Sequence, residues 1–251
     1  AGDSDETIDA SSASLEPLMT SALLLAFFAQ NMVRPRARCI QMPIGLDFHT
    51  VHEAAARARI HAAAKRSRVQ VPVHAWLRPQ DGADPVEQEA LLAGTRAAMQ
   101  DRERERARGP VEPRERVGGG RRLQVYANFG AFDKRGDRKA ALASLPPDLL
   151  AYDSARLPRA AVWERMTSFA FVLSPFGNGL DCHRTWEALA LGSAVIVSRD
   201  SFMAPLYEDL PVVQLSDWSE VTAENLERWK RELGARWHTF RFEKLRTDFW
   251  L

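Results

Sequence analysis

After Gly120, short apolar runs alternate with stretches whose apolar residues recur at helical spacing. Residues 123–129 (LQVYANF), 169–174 (FAFVLS) and 194–198 (AVIVS) predict strands, with shorter ones at 149–152 and 212–215. Residues 137–144, 159–168, 181–191 and 220–233 predict helices. The longer strands are nearly continuously apolar, so both of their faces require cover, as in a parallel sheet between helical layers. Strands alternating with helices of about ten residues form βαβ units. Right-handed crossovers then give an α/β fold with a Rossmann-like parallel sheet.

The first part of the chain has a different texture. Residues 1–12 are polar and acidic, the pattern of a frayed tail. Residues 14–31 are apolar enough to predict a buried helix, and 39–44 form a β-like run that ends in the turn Pro43-Ile44-Gly45-Leu46-Asp47-Phe48-His49. Residues 54–65 and 85–108 predict helices. The second mixes Arg and Glu (Arg102, Glu103, Arg104, Glu105, Arg106), the pattern of a solvated helix with i,i+4 pairs rather than a nucleic-acid stripe. Residues 109–120, with two prolines and three consecutive glycines, read as a linker or surface loop. The chain therefore divides into a mainly helical, abbreviated N-terminal part, 1–119, and a Rossmann-like part, 120–251, with helices at its end.

Composition narrows this reading. The 251 residues are 45% hydrophobic and 27% charged with a net charge of +1, which excludes a disordered or fibrous chain. The balanced charge argues against a protein that coats nucleic acid or an anionic membrane. Of the 34 basic residues 29 are Arg, spread through a chain rich in Ala, so arginines take roles by position and not by abundance. Cys39 and Cys182 form no CxxC or Cys/His cluster, which excludes a zinc ribbon or disulfide scaffold and leaves one disulfide possible. The apolar run 22–28 is far short of the ~20 residues that cross a bilayer. The chain begins at Ala1 with no signal peptide, which fits a processed form or an excised fragment and gives no compartment.

Candidate chemistry concentrates after the strand at 169–174. Ser174-Pro175-Phe176-Gly177-Asn178-Gly179-Leu180-Asp181-Cys182-His183-Arg184-Thr185-Trp186-Glu187 passes from a strand through a glycine loop into a helix. Ligands of doubly wound sheets bind at such carboxyl ends. Glycines allow close backbone approach, and a helix start favours phosphate. Asp181 or Asn178 can cap the helix. His183 and Arg184 stand four and three residues before Glu187, on one helix face, while Trp186, Leu189 and Ala190 can pack on the other side. Arg near the helix start suits a diphosphate and Glu one turn later suits ribose hydroxyls. The same residues also suit a capped helix with an internal Arg–Glu pair.

The segment FVLSPFGNGLDCHRTWEALALGSAVIVS, with LYEDLPVVQLSDWSEVT downstream, resembles the donor-binding half of GT-B glycosyltransferases and is most similar to exostosin-like, family 47-type proteins. FAQN at 28–31, PIGLDFHT at 43–50, and LQVYANF with the basic loop DKRGDR fit the same resemblance. It covers residues 120–220 well and 28–50 more loosely. Phe176, and Gly192-Ser193-Ala194-Val195, depart from the family's usual residues. The resemblance implies a nucleotide-sugar donor and transfer of its sugar to a hydroxyl of a carbohydrate or glycoconjugate acceptor. It implies Glu187 as ribose contact, and Arg184 with Ser174, Gly177, Asn178 and Gly179 around the diphosphate and sugar. Asp181 and His183 would line the donor pocket, and Arg135 and Arg138 would neutralise phosphate. It implies no cofactor and no metal, because side chains and a helix start can stabilise the leaving diphosphate; no clean DxD motif accompanies the loop.

For an acceptor base, Asp47 and His49 are the candidates. Equally, Asp47 suits a turn cap with His49 packed beneath it. The N-terminal part would then be the remnant of an acceptor domain, or the link to one. Besides an enzyme, the sequence fits an inactive nucleotide-sugar-binding module with a truncated acceptor half, or a structural domain whose glycine loop only caps a helix. No nucleic-acid partner is expected. The resemblance implies the Golgi or secretory pathway, with membrane association only through segments outside this chain. His52, His61, His74 and His238 have no partner pattern, Trp218, Trp229, Trp237 and Trp250 fit packing, and residues 240–251 fit a tail that packs back across a domain boundary.

Overall fold

The computed structural model describes residues 7–45, 121–131, 135–155, 157, 159–245 and 249. Its centre is a parallel sheet of β5 (Arg122–Ala127), β6 (Leu150–Tyr152), β7 (Phe169–Leu173), β8 (Ala194–Ser198) and β9 (Val212–Leu215), in the order β6-β5-β7-β8-β9. Register is carried by pairs such as Val125 with Phe171, Val172 with Val195 and Ile196 with Val213. The connecting helices are α2 (Asp137–Ser144), α3 (Arg159–Met166), α4 (His183–Ala190) and α5 (Ala204–Tyr207); α6 (Ala223–Ala235) follows β9. The predicted strands and helices after residue 120 are all present, with ends displaced by one to three residues where they differ.

The continuous apolar runs have the cause expected of them. Every residue of β7 is buried. Phe171 and Leu173 face a layer that holds Ala141 of α2 and Leu226 and Trp229 of α6. Val172 points the other way, to Trp163 of α3, Trp186 and Leu189 of α4 and Leu206 of α5. Side chains alternate across a strand, so a strand between two helical layers has no polar side.

Helix α4 ends where its sequence requires. Gly192 adopts φ 75, a left-handed conformation that glycine takes without steric cost. Ser193 N–H then returns to Ala188 O at 2.9 Å. The buried Arg121 donates to Gly192 O at 2.9 Å, to Leu191 O at 3.3 Å and to the Ser193 hydroxyl at 2.9 Å. A cation placed on the last carbonyls satisfies them and complements the helix dipole. Gly192 and Ser193 thus form a complete helix stop.

Residues 14–31 do not form the expected buried helix. Only α1 (Glu16–Met19) is helical, and β2 (Phe27–Ala29) pairs in parallel with β4 (Cys39–Gln41), while β1 (Ile8–Asp9) pairs with β3 (Met32–Val33). Leu23 and Leu25 are 90% and 89% exposed. The reason is a change of period. Phe27 and Ala29 face a small cluster with Ala10 and Met32, whereas Phe28 between them is exposed. That alternation belongs to a strand. Arg38 holds the preceding turn open by donating to Leu24 O at 2.7 Å. The helices predicted at 54–65 and 85–108 and the linker at 109–120 lie outside the described residues.

At the other end, 3-10 turns at Trp237–Thr239 and Phe242–Leu245 lead the chain back onto α5. Lys244 donates to Glu208 O at 2.7 Å and Pro205 O at 3.3 Å, and Arg241 N–H to Asp209 O at 2.8 Å. Trp218 and Trp229 are core residues and His238 is exposed. Among the described residues no helix is long and apolar enough to cross a membrane.

Candidate functional site

The strand order reverses between β5 and β7, because β5 connects outward to β6 and the chain then returns to the opposite side of β5. Loops leaving adjacent strands in opposite directions open a crevice at their carboxyl ends. Asn128 and Phe129 follow β5 at this point, and Ser174–Gly179 follow β7. The sequence places the glycine loop at a strand end; the topology makes that end the switch point.

Two arginines meet there. The Arg184 guanidinium donates to Asn128 O at 2.8 Å and its carbon lies 5.1 Å from the centre of the Phe129 ring. The Arg138 guanidinium carbon lies 5.8 Å from the same ring centre. Arg138 also presses on the loop, since a Cβ on Gly177 would stand 2.7 Å from its Nη2. Gly177 N–H closes a tight turn onto Gly179 O at 3.1 Å, with Asn178 exposed between them. Ser174 Oγ and Thr185 Oγ1 lie 2.9 Å apart and tie the strand end to the first turn of α4. Two half-buried guanidiniums beside a glycine turn form a cationic wall that suits a polyanion.

The Asp137 carboxylate anchors the loop from behind. It accepts from Phe176 N–H at 2.8 Å, from the Ser198 hydroxyl at 2.8 Å and from the Trp218 indole N–H at 2.8 Å. One carboxylate at the start of α2 thus fixes the ends of β7 and β8 together. Phe176 packs on the core and gives the site its backbone N–H bond rather than a polar side chain.

Asp181 has another role than helix cap. The N-cap of α4 is Cys182, which makes no side-chain capping bond. The Asp181 carboxylate is 2% exposed and accepts from Ile44 N–H at 2.7 Å, Cys182 N–H at 2.9 Å, the Trp186 indole at 2.9 Å and the Tyr207 hydroxyl at 3.3 Å. Burial raises its pKa to about 6, and these donors oppose a larger rise. Burial and the nearby Asp181 raise the Tyr207 phenol well above its usual value, and burial raises the Cys182 thiol.

The N-terminal segment docks on the same few residues. Asp181 N–H donates to Asn31 Oδ1 at 2.7 Å, and His183 Nδ1 stands 2.8 Å from Gly45 O, so Nδ1 carries the hydrogen. FAQN and PIG, both far from it in sequence, therefore reach the loop between Gly179 and His183. Asp47 and His49 lie outside the described residues; Gly45 is the last described position before them.

The remaining expected site residues are dispersed. Glu187 is 1% exposed, one turn into α4. Arg135 is exposed and donates to Thr7 Oγ1 at 2.8 Å. Asn31, Asn128, Phe129, Asp137 and Thr185 belong to the site without having been singled out as site residues. All five lie in stretches that carried the resemblance: Asn31 ends FAQN, Asn128 and Phe129 end LQVYANF, Asp137 is in DKRGDR and Thr185 is in the glycine-loop segment. Among the described residues no group of three or more His, Cys, Asp or Glu could hold a metal ion.

Fold and site together define an α/β protein with a Rossmann-like parallel sheet and a glycine loop at its switch point. No protein-family model matches the chain, and no curated protein sequence matches it.

Proposed function

We propose that this protein is a GT-B, exostosin-like glycosyltransferase that moves a sugar from a nucleotide-sugar donor to a hydroxyl of a carbohydrate acceptor. The observation that carries the reading is the convergence of Arg138 and Arg184 on Phe129, beside Gly177, at the switch point of the sheet. In the transfer step the bond from the sugar to the diphosphate breaks while the acceptor oxygen bonds the sugar. Negative charge collects on the leaving diphosphate, where fixed cations lower the barrier most. Arg138 and Arg184 are the groups for that task. Glu187, buried one turn into α4, is the proposed ribose contact. Asp47 and His49, just beyond the docked Gly45, are the proposed source of the acceptor base.

Calorimetry against UDP-, GDP- and CMP-sugars tests the reading. Binding of one of them, weakened strongly by Arg184→Ala and by Glu187→Ala, is the expected result. No binding by any nucleotide overturns it. Binding with neither sugar transfer nor donor hydrolysis identifies an inactive nucleotide-sugar-binding module instead.

A further inference from the structure

We infer that Asn31 is a positioning residue for the glycine loop: its side-chain amide sets the path of Gly179–His183 and thereby places Arg184 at the switch point. As to ligand, the inference rests on the nucleotide-sugar reading; its geometry stands apart from it. Asn31 is fully buried between β2 and β3 and adopts φ 50, a left-handed backbone that Asn tolerates better than most residues. Its own carbonyl accepts Ile8 N–H at 3.0 Å, which ties the residue to the N-terminal segment.

The amide and the loop are fitted to each other. Asn31 Oδ1 accepts Asp181 N–H, and a Cβ on Gly179 would stand 2.7 Å from both Asn31 Oδ1 and Nδ2. The amide therefore fills the space that Gly179 leaves. Asp181 is held at both ends, its N–H by Asn31 and its carboxylate by Ile44 N–H. Arg184 follows three residues later in the first turn of α4. A short helix moves as a unit, so a loop released at Asp181 carries Arg184 away from Asn128 O. A misplacement of a binding group by about 1 Å is already costly to function.

Asn31→Gly keeps the left-handed backbone and deletes the amide. Hydrogen exchange at the Asp181 amide, followed by NMR, should speed up at least about tenfold as its bond is lost. Calorimetry with UDP and GDP, at a temperature where circular dichroism finds both proteins fully folded, should show nucleotide affinity lowered about tenfold per folded molecule. A purely stabilising Asn31 would lower the Tm and leave that affinity unchanged. The reciprocal test is Gly179→Ala, which should lower the Tm by several degrees in the parent and cost little in the Asn31→Gly background, where the new methyl has room. Unchanged Asp181 exchange, nucleotide affinity equal to the parent, or equal cost of Gly179→Ala in both backgrounds would each overturn the inference. If the parent binds no nucleotide, the functional reading fails and the placing of Arg184 for a ligand fails with it, while exchange and the double-mutant comparison still decide whether Asn31 sets the path of the loop.

Discussion

The Asp181 carboxylate accepts the backbone N–H of Ile44 at 2.7 Å across 137 positions of sequence, in a site closed to water. This bond joins the N-terminal segment to the start of α4, and its acid is the group whose pKa burial raises to about 6. A carboxyl whose folded-state pKa exceeds its unfolded value of about 3.9 holds its proton more tightly when folded. Its contribution to stability is therefore full below about pH 4 and is lost as pH rises through about 6. Asp181→Asn cannot titrate. Urea unfolding at pH 4 and pH 7 should show parent stability falling relative to Asp181→Asn by up to about 3 kcal/mol as pH rises. A difference independent of pH would refute the raised value.

Arg184→Lys keeps a charge but loses the planar fork that bonds Asn128 O and covers Phe129. On the proposed nucleotide-sugar reading, affinity for the nucleotide should fall about tenfold with Lys and further with Ala. Calorimetry at two salt concentrations reads both variants. Equal affinity of the parent and Lys proteins would mean that only charge matters here.

Arg121→Ala removes the guanidinium that satisfies Leu191 O and Gly192 O inside the protein. Charge-assisted bonds of this kind are worth about 1.5–3 kcal/mol, and denaturant unfolding should show a loss of that order. Ser193→Ala, which leaves the carbonyl bonds of Arg121 in place, should cost about 1 kcal/mol.

Asp137→Ala leaves the Trp218 indole N–H and Phe176 N–H without the carboxylate that receives them. Each stranded buried donor costs about 1–3 kcal/mol. The Tm should fall clearly, and on the proposed nucleotide-sugar reading affinity should weaken with it because Phe176 begins the glycine loop. Trp218→Phe removes one donor together with its need for a partner and should be milder in both measurements.

The alternation of apolar runs and helical stretches after Gly120 determined the strands, the helices and the parallel sheet, because strands buried on two faces have no polar side to display. The glycine loop was legible for a related reason: a strand end, two glycines and a helix start are local in sequence. The N-terminal segment misled because its centre, 22–29, is uniformly apolar. Its period of two is visible only when Met32 and Ala10 are seen to receive Phe27 and Ala29 while Phe28 faces out. Tertiary structure alone decided the partners of the site. Phe129 reads in sequence as the end of an apolar strand, and Asp137 as the start of a helix. Their roles come from the strand order, which brings the ends of β5 and β7 side by side. Asp181 looked like a helix cap or pocket residue because capping is local. Its bonds to Ile44, Trp186 and Tyr207, and that of its N–H to Asn31, depend on how distant segments pack, which no local spacing encodes.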